Sequence, residues 1–190
     1  MEKKLLILRG SPRPNGNTNT LADLVRDGAH TSGAIVDEFD LHVMNISPCD
    51  NCDACQDSGG GCVVNDDMQQ IYPKLTEADA IIIASPIYWF HLSAQTKLCI
   101  DRWYALEVPD GNLLSGKEFA LVLTYGDTDP FKSGAINVIH SVQDMLDYID
   151  AKLFGVVHGS TPDLGDASEQ PDLLDKAYKL GVELAQISNQ

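Results

Sequence analysis

The residues best suited to chemistry lie in two short stretches. Four of the five cysteines are gathered as Cys49-x2-Cys52-x2-Cys55-x6-Cys62. Three thiols two residues apart, with a fourth a short loop away, can wrap one 4Fe-4S cubane. Asp50, Asp53 and Asp57 interleave these thiols, and a four-thiolate cluster is itself negative, so free thiols or a partial redox pair fit the same stretch. Zinc is the weaker option, because four-thiolate zinc sites pair two separated C-x2-C elements. Cys99 stands apart, on an apolar helical face with Leu92, Trp103 and Leu106, and reads as a core residue.

The second stretch is residues 10–18, GSPRPNGNT, directly after an apolar run. Gly10-Ser11 can turn tightly. Asn17, Thr18 and Thr20 open the next helix, where free N–H groups and the positive dipole end favour an anion. Ser11 and Thr18 add hydroxyls, and Arg13 adds charge. There is no Gly-Lys-Ser/Thr and no G-x-G-x-x-G, so a monophosphate suits the loop better than a triphosphate or pyrophosphate. A polar connecting loop with an N-cap fits the same residues.

The elements that must position these stretches alternate. Apolar runs at 4–9, 34–41, 78–85, 117–124 and 152–158 have strand length. Between and after them fall five helical patterns: Leu21 to Ala29, Met68 to Leu75, Leu92 to Leu106, Val138 to Ile149 and Leu173 to Ile187. Asp66 with Gln69 three residues on predicts a capping box for the second. Residues 42–65 read as one long loop carrying the cysteines and Gly59, Gly60 and Gly61. This alternation predicts a single α/β domain over residues 1–190, a three-layer sandwich around a five-stranded parallel sheet in the order 2-1-3-4-5.

In such a sheet, ligands bind beyond the carboxyl ends of the strands, near the point where the strand order reverses. That selects residues 10–18, 86–90 and 125–131, with the cysteine loop at the same end. Pro86, Ile87, Tyr88, Trp89 and Phe90 offer backbone groups and stacking surface for a flat ring. In Tyr125, Gly126 and Asp127, the glycine allows close approach, and the aspartate either accepts from a ring N–H or caps the following helix. Arg102 reads as an interfacial ion pair or a phosphate-steering charge, and His30, His91, His140 and His158 form no ligand pattern.

Composition narrows the partners. With 13 basic and 28 acidic residues among 190, the net charge is −15. A protein this acidic repels nucleic acid and anionic membrane. No segment reaches the roughly 18–20 apolar residues that span a bilayer. The N-terminus lacks a long apolar region and a cleavage site, so a cytoplasmic location is expected.

Taken together, GSPRPNGNT, the cysteine loop, DDM opening a helix, ADAIIIASPIYWF and TYGDTDPF resemble the NAD(P)H-dependent FMN reductase and iron–sulfur flavoprotein group of the flavodoxin-like fold. The resemblance covers almost the whole chain. It implies FMN with its phosphate on Ser11, Arg13, Asn17 and Thr18. The ring would lie against Pro86, Ile87, Tyr88, Trp89 and Phe90, with Tyr125, Gly126 and Asp127 opposite. NAD(P)H would deliver hydride to the flavin, and a small-molecule acceptor (a quinone, flavin, nitro or azo compound) would remove it. No protein side chain need act as acid or base. The alternative is an iron–sulfur flavoprotein that moves single electrons between FMN and a 4Fe-4S cluster on Cys49, Cys52, Cys55 and Cys62, served by a ferredoxin-like partner. A second alternative is a non-enzymatic flavodoxin-like binding module. The group also implies a homodimer or homotetramer.

Overall fold

The computed structural model describes residues 2–57 and 61–187, so Gly59 and Gly60 of the expected glycine run lie outside the described residues. Strands and helices follow in the order β1 (Lys4–Arg9), α1 (Asn17–Thr31), β2 (Ile35–Asp40), α2 (Ala54–Asp57), α3 (Met68–Glu77), β3 (Ala80–Tyr88), β4 (His91–Leu92) and α4 (Ala94–Asp101). A 3-10 turn (Arg102–Leu106) leads to β5 (Glu107–Val108), β6 (Gly111–Asn112), β7 (Glu118–Tyr125), α5 (Pro130–Ser133), α6 (Ala135–Tyr148) and β8 (Lys152–Ser160). A second 3-10 turn (Asp166–Glu169) precedes α7 (Pro171–Leu184).

The main sheet has the expected order, β2-β1-β3-β7-β8, and these five strands are parallel. Its two faces are set by strand alternation. Leu6, Leu8, Ile81, Ile83, Phe119, Leu121 and Leu123 face α3, α4 and α6. Leu5, Ile7, Ala80, Ile82, Ala84, Ala120 and Val122 face α1 and α7. That second face is rich in alanine, and the helices on it touch through glycine. A Cβ on Gly28 would overlap the Tyr178 carbonyl oxygen, and one on Gly181 would overlap that of Val25. Among the described residues, no helix is long and apolar enough to cross a membrane.

Three expectations need correction. The third strand does not stop at residue 85 but runs to Tyr88 and pairs back with His91–Leu92. Pro86 is tolerated there for a specific reason. The Ala84 carbonyl accepts from Gly10 N–H on the β1 side, so the next residue facing that side is Pro86, where β1 has ended. Its missing N–H therefore costs no ladder bond. The third helical pattern also breaks: Leu92 belongs to β4, Ser93 caps α4, and Trp103 and Leu106 sit in the 3-10 turn. Finally, the capping box at Asp66 does not form. Asp66 Oδ1 accepts from Met68 N–H at 3.1 Å, whereas the Gln69 amide donates to the Cys62 and Val64 carbonyls at 2.9 and 2.8 Å.

The contact of α1 with α7 sets a first test. Gly181→Ala forces backbone apart at that crossing and is expected to cost about 1–3 kcal/mol. The midpoint of urea unfolding should fall with the slope unchanged.

Candidate functional site

A cleft of about 230 Å³ opens at the carboxyl ends of β1, β3 and β7. Its floor is the β1–α1 loop. Gly16 N–H donates to the Arg13 carbonyl at 2.9 Å, closing a turn so tight that a Cβ on Gly16 would meet Arg13 and Ser11 at 3.0–3.2 Å. The Asn19 amide braces the turn by donating to the Arg13 and Pro14 carbonyls at 3.0 and 3.2 Å. Among the described residues, no side chain of the Ncap position caps α1. The first-turn N–H groups are thus available to an anion at the positive end of the helix.

The other walls come from strand ends. Pro86, Ile87 and Tyr88 of β3 and Tyr125 and Gly126 of β7 line the cleft, together with Ser11, Arg13, Asn17 and Thr18. Trp89, Phe90 and Asp127 lie outside that lining. Trp89 and Phe90 form the turn between β3 and β4 with φ of 49° and 68°, and Trp89 is 92% exposed. Such positive angles suit Asn-Gly rather than two aromatics, so the turn is strained. Asp127 Oδ1 accepts from Asp129 N–H at 3.0 Å, and Asp129, not Asp127, caps α5.

Sequence reasoning did not name Thr124, Thr161 and Pro162, which with Gly16 of the loop complete the lining. Thr124 shares a hydrogen bond of 2.6 Å with Thr18 between hydroxyl oxygens, tying α1 to β7. The Thr-Pro pair after the fifth strand carries no motif, and its only signal was its place at a strand's carboxyl end. Tyr125 also shares a hydrogen bond with His158 Nδ1 at 2.9 Å. Burial holds the Tyr125 phenol above and the His158 imidazole below their ordinary values.

The cysteines form a second, smaller feature. Cys49, Cys52, Cys55 and Cys62 all line one hollow of about 20 Å³. That is little more than room for a water and too small for an organic ligand. Among the described residues, no three His, Cys, Asp or Glu side chains stand close enough to hold one metal ion. None of the four cysteines is in a disulfide; Cys49 and Cys52 are exposed and Cys55 is buried. Cys99 is buried in the core as expected, and burial pushes its thiol up to about 12.

Arg102 orders this loop; it forms an ion pair with Asp66, but one buried within the chain. It is 2% exposed and turns inward. Nη1 donates to Asp66 Oδ2 at 2.6 Å and to the Ser47 carbonyl at 2.8 Å, and Nη2 donates to Cys62 Sγ at 3.1 Å. Burial pushes the Asp66 carboxyl up, but Arg102 and the N–H groups of Ser47 and Met68 outweigh it and hold the group below its ordinary 3.8. The sequence contained both residues, but their separation of 36 positions hid the pair.

Breaking such a buried pair from one side leaves a bare charge, so Arg102→Met should destabilise by about 3–5 kcal/mol. Adding Asp66→Leu should restore part of that loss. The pair also predicts acid sensitivity. Asp66 contributes fully above the unfolded value of 3.8 and loses its contribution as pH falls below it toward the depressed folded value. Urea midpoints measured across that range should fall more steeply for the wild type than for Asp66→Asn.

Comparison with known proteins places this geometry. The profile of the NADPH-dependent FMN reductase family matches residues 3–159. An iron–sulfur flavoprotein of Methanocaldococcus jannaschii is 30% identical over 97% of this chain and 96% of its own length. A Bacillus subtilis protein named for NAD(P)H-dependent FMN-containing oxidoreductase activity is 27% identical over 93% and 96%. The solved NAD(P)H:quinone oxidoreductase of Methanothermobacter marburgensis superposes with a TM-score of 0.77 over the full length of both chains at 17% identity, a likeness of fold. With its flavodoxin-like sheet and strand-end cleft, the chain belongs to the NADPH-dependent FMN reductase family of oxidoreductases.

Proposed function

We propose that the protein is an FMN-dependent oxidoreductase that takes hydride from NAD(P)H and passes reducing equivalents to a small acceptor: a quinone, flavin, nitro or azo compound. One observation carries the reading. The uncapped N-terminus of α1 faces, across a single cleft, the strand-end backbone of β3 and β7. The residues present fit a flavin mononucleotide. The Gly16 turn makes a cradle that a Cβ would fill, Arg13 is the cation of the lining, and Gly126 has no atom within 4 Å of its would-be Cβ.

In this reading, Ser11, Arg13, Thr18 and the N–H groups of the first turn of α1 hold the phosphate. Pro86, Ile87, Tyr88, Tyr125 and Gly126 border the ring. FMN, when bound, supplies the redox chemistry by accepting hydride and giving it up. The protein's part is to position the ring and leave one side open to donor and acceptor in turn. Trp89 and Phe90, strained and exposed beside the cleft, support a homodimer or homotetramer in which this turn meets a second copy. Cysteines outside any disulfide suit a reducing, cytoplasmic setting.

A second reading is an iron–sulfur flavoprotein, and one observation favours it: four thiols share a hollow whose buried wall is a guanidinium touching one sulfur. Among the described residues, no three of these side chains stand close enough to hold a single ion, whereas a cubane spreads its four thiolates over a wider span.

Protein loaded with FMN is expected to oxidise NADH or NADPH steadily with menadione present. Failure to take up FMN would leave only the binding-module alternative. Iron and sulfide analysis of protein prepared without oxygen decides the second reading: about four of each per chain establishes it, and none removes it. Gly126→Ala should fold like the wild type yet bind FMN at least several-fold more weakly, because its methyl group enters the cleft. Trp89→Ala should lower the assembly mass in analytical ultracentrifugation.

A further inference from the structure

The family resemblance places Asn17 among the residues on the flavin phosphate. Its backbone N–H fits that role, but its side chain is engaged elsewhere. Nδ2 donates to the Asp163 carbonyl at 2.7 Å and, more weakly, to that of Thr161 at 3.4 Å. Oδ1 accepts from the N–H groups of Gly165 at 3.0 Å and Ala167 at 3.2 Å. A carboxamide has two donor hydrogens and two acceptor lone pairs. All four are committed to the loop that follows β8, and none remains for a phosphate oxygen. The neighbouring Thr18 differs: its hydroxyl bonds to Thr124 and keeps capacity for another partner.

The loop is shaped to receive that carboxamide. Gly165 has φ of +96°, a left-handed angle that turns its N–H onto Asn17 Oδ1. Asp166 Oδ2 accepts from Asp163 N–H at 2.7 Å and curls the loop on itself. Its two ends are held elsewhere. Thr161 N–H donates to the Tyr125 carbonyl at 2.7 Å, and Gln170 Nε2 donates to the Ser160 carbonyl at 2.8 Å. Thr161 and Pro162, at the start of this loop, line the cleft.

We propose that Asn17 is a positioning residue: its carboxamide fastens residues 161–167 against the start of α1, and this loop, through Thr161 and Pro162, is the third wall of the flavin cleft. The proposal rests on the FMN reading for the identity of the ligand. The fastening itself does not. It assigns the phosphate to backbone N–H groups, Ser11, Arg13 and Thr18, and gives Asn17 influence over the whole flavin.

The test uses full-length protein, two flavins and one structural readout. Hydrogen exchange of residues 161–167 is measured without flavin in wild type, Asn17→Ala and Gly165→Ala. Dissociation constants are measured for FMN and for riboflavin, which lacks the phosphate. Losing the fastening should speed exchange in the loop while leaving β1, β3 and β7 protected. It should weaken FMN and riboflavin by a common factor of about ten, leaving their ratio at the wild-type value. Gly165→Ala disturbs the loop from its own side and leaves every residue of α1 unchanged, and should reproduce the pattern. The proposal is overturned if Asn17→Ala weakens FMN alone, with riboflavin binding and loop exchange unchanged, because the carboxamide would then be a phosphate ligand. It is also overturned if exchange speeds up while both affinities stay put, since the loop would then not be a wall. A wild type that binds neither flavin would sink the FMN reading, while exchange in the variants still tests the fastening separately.

Discussion

The site exists because the chain changes direction across its own sheet. β1 pairs with β2 on one side and β3 on the other. The helix leaving β1 covers one face of the sheet, and the helix leaving β3, α4, covers the opposite face. With right-handed crossovers, those two connections must part at the carboxyl ends of β1 and β3. No helix can cover the gap between them. The cleft is therefore a topological consequence, and the strands could not be ordered 2-1-3 without it. The chain adds particular linings to this gap: an uncapped helix end, a strand extended past a proline, and glycines where side chains would intrude.

A second constraint governs the cysteine loop. A stretch with three interleaved aspartates and four thiols has little apolar surface with which to hold itself in place. It is held instead by charge and hydrogen bonding from beneath, through Arg102, Asp66 and Gln69. Asn51 and Asp53 take left-handed backbone angles between the thiols, which these residue types tolerate better than most. Arg102 thus ties both ends of the loop, at Ser47 and Cys62, while Cys49 and Cys52 between them face solvent.

The layers of this fold were legible because their signals are local. Leu5 to Leu8 and Ile81 to Ile83 are buried on both faces and read directly as central strands. The anion-binding turn was legible for the same reason, since glycine, hydroxyls and a helix start lie within a few residues of one another. What escaped was set by distance along the chain. The extension of β3 through Pro86 depends on where β1 stops. The pairing of Arg102 with Asp66 needs the 3-10 turn to rotate the guanidinium inward. Thr161 meets Asn17 across 144 residues, and residue type alone could not say which of several acceptors a carboxamide would choose.

The close seating of α1 on α7 has a consequence for how the protein is made. The helix that opens the anion-binding turn finds its partner only in the last helix of the described chain, backbone against backbone at Gly28 and Gly181. During synthesis, that face of the first βα unit stays uncovered until α7 (Pro171–Leu184) has emerged. Contacts so distant in sequence also make for slow closure. The residues of the anion-binding turn are thus made well before the helix that fixes α1 in its final place.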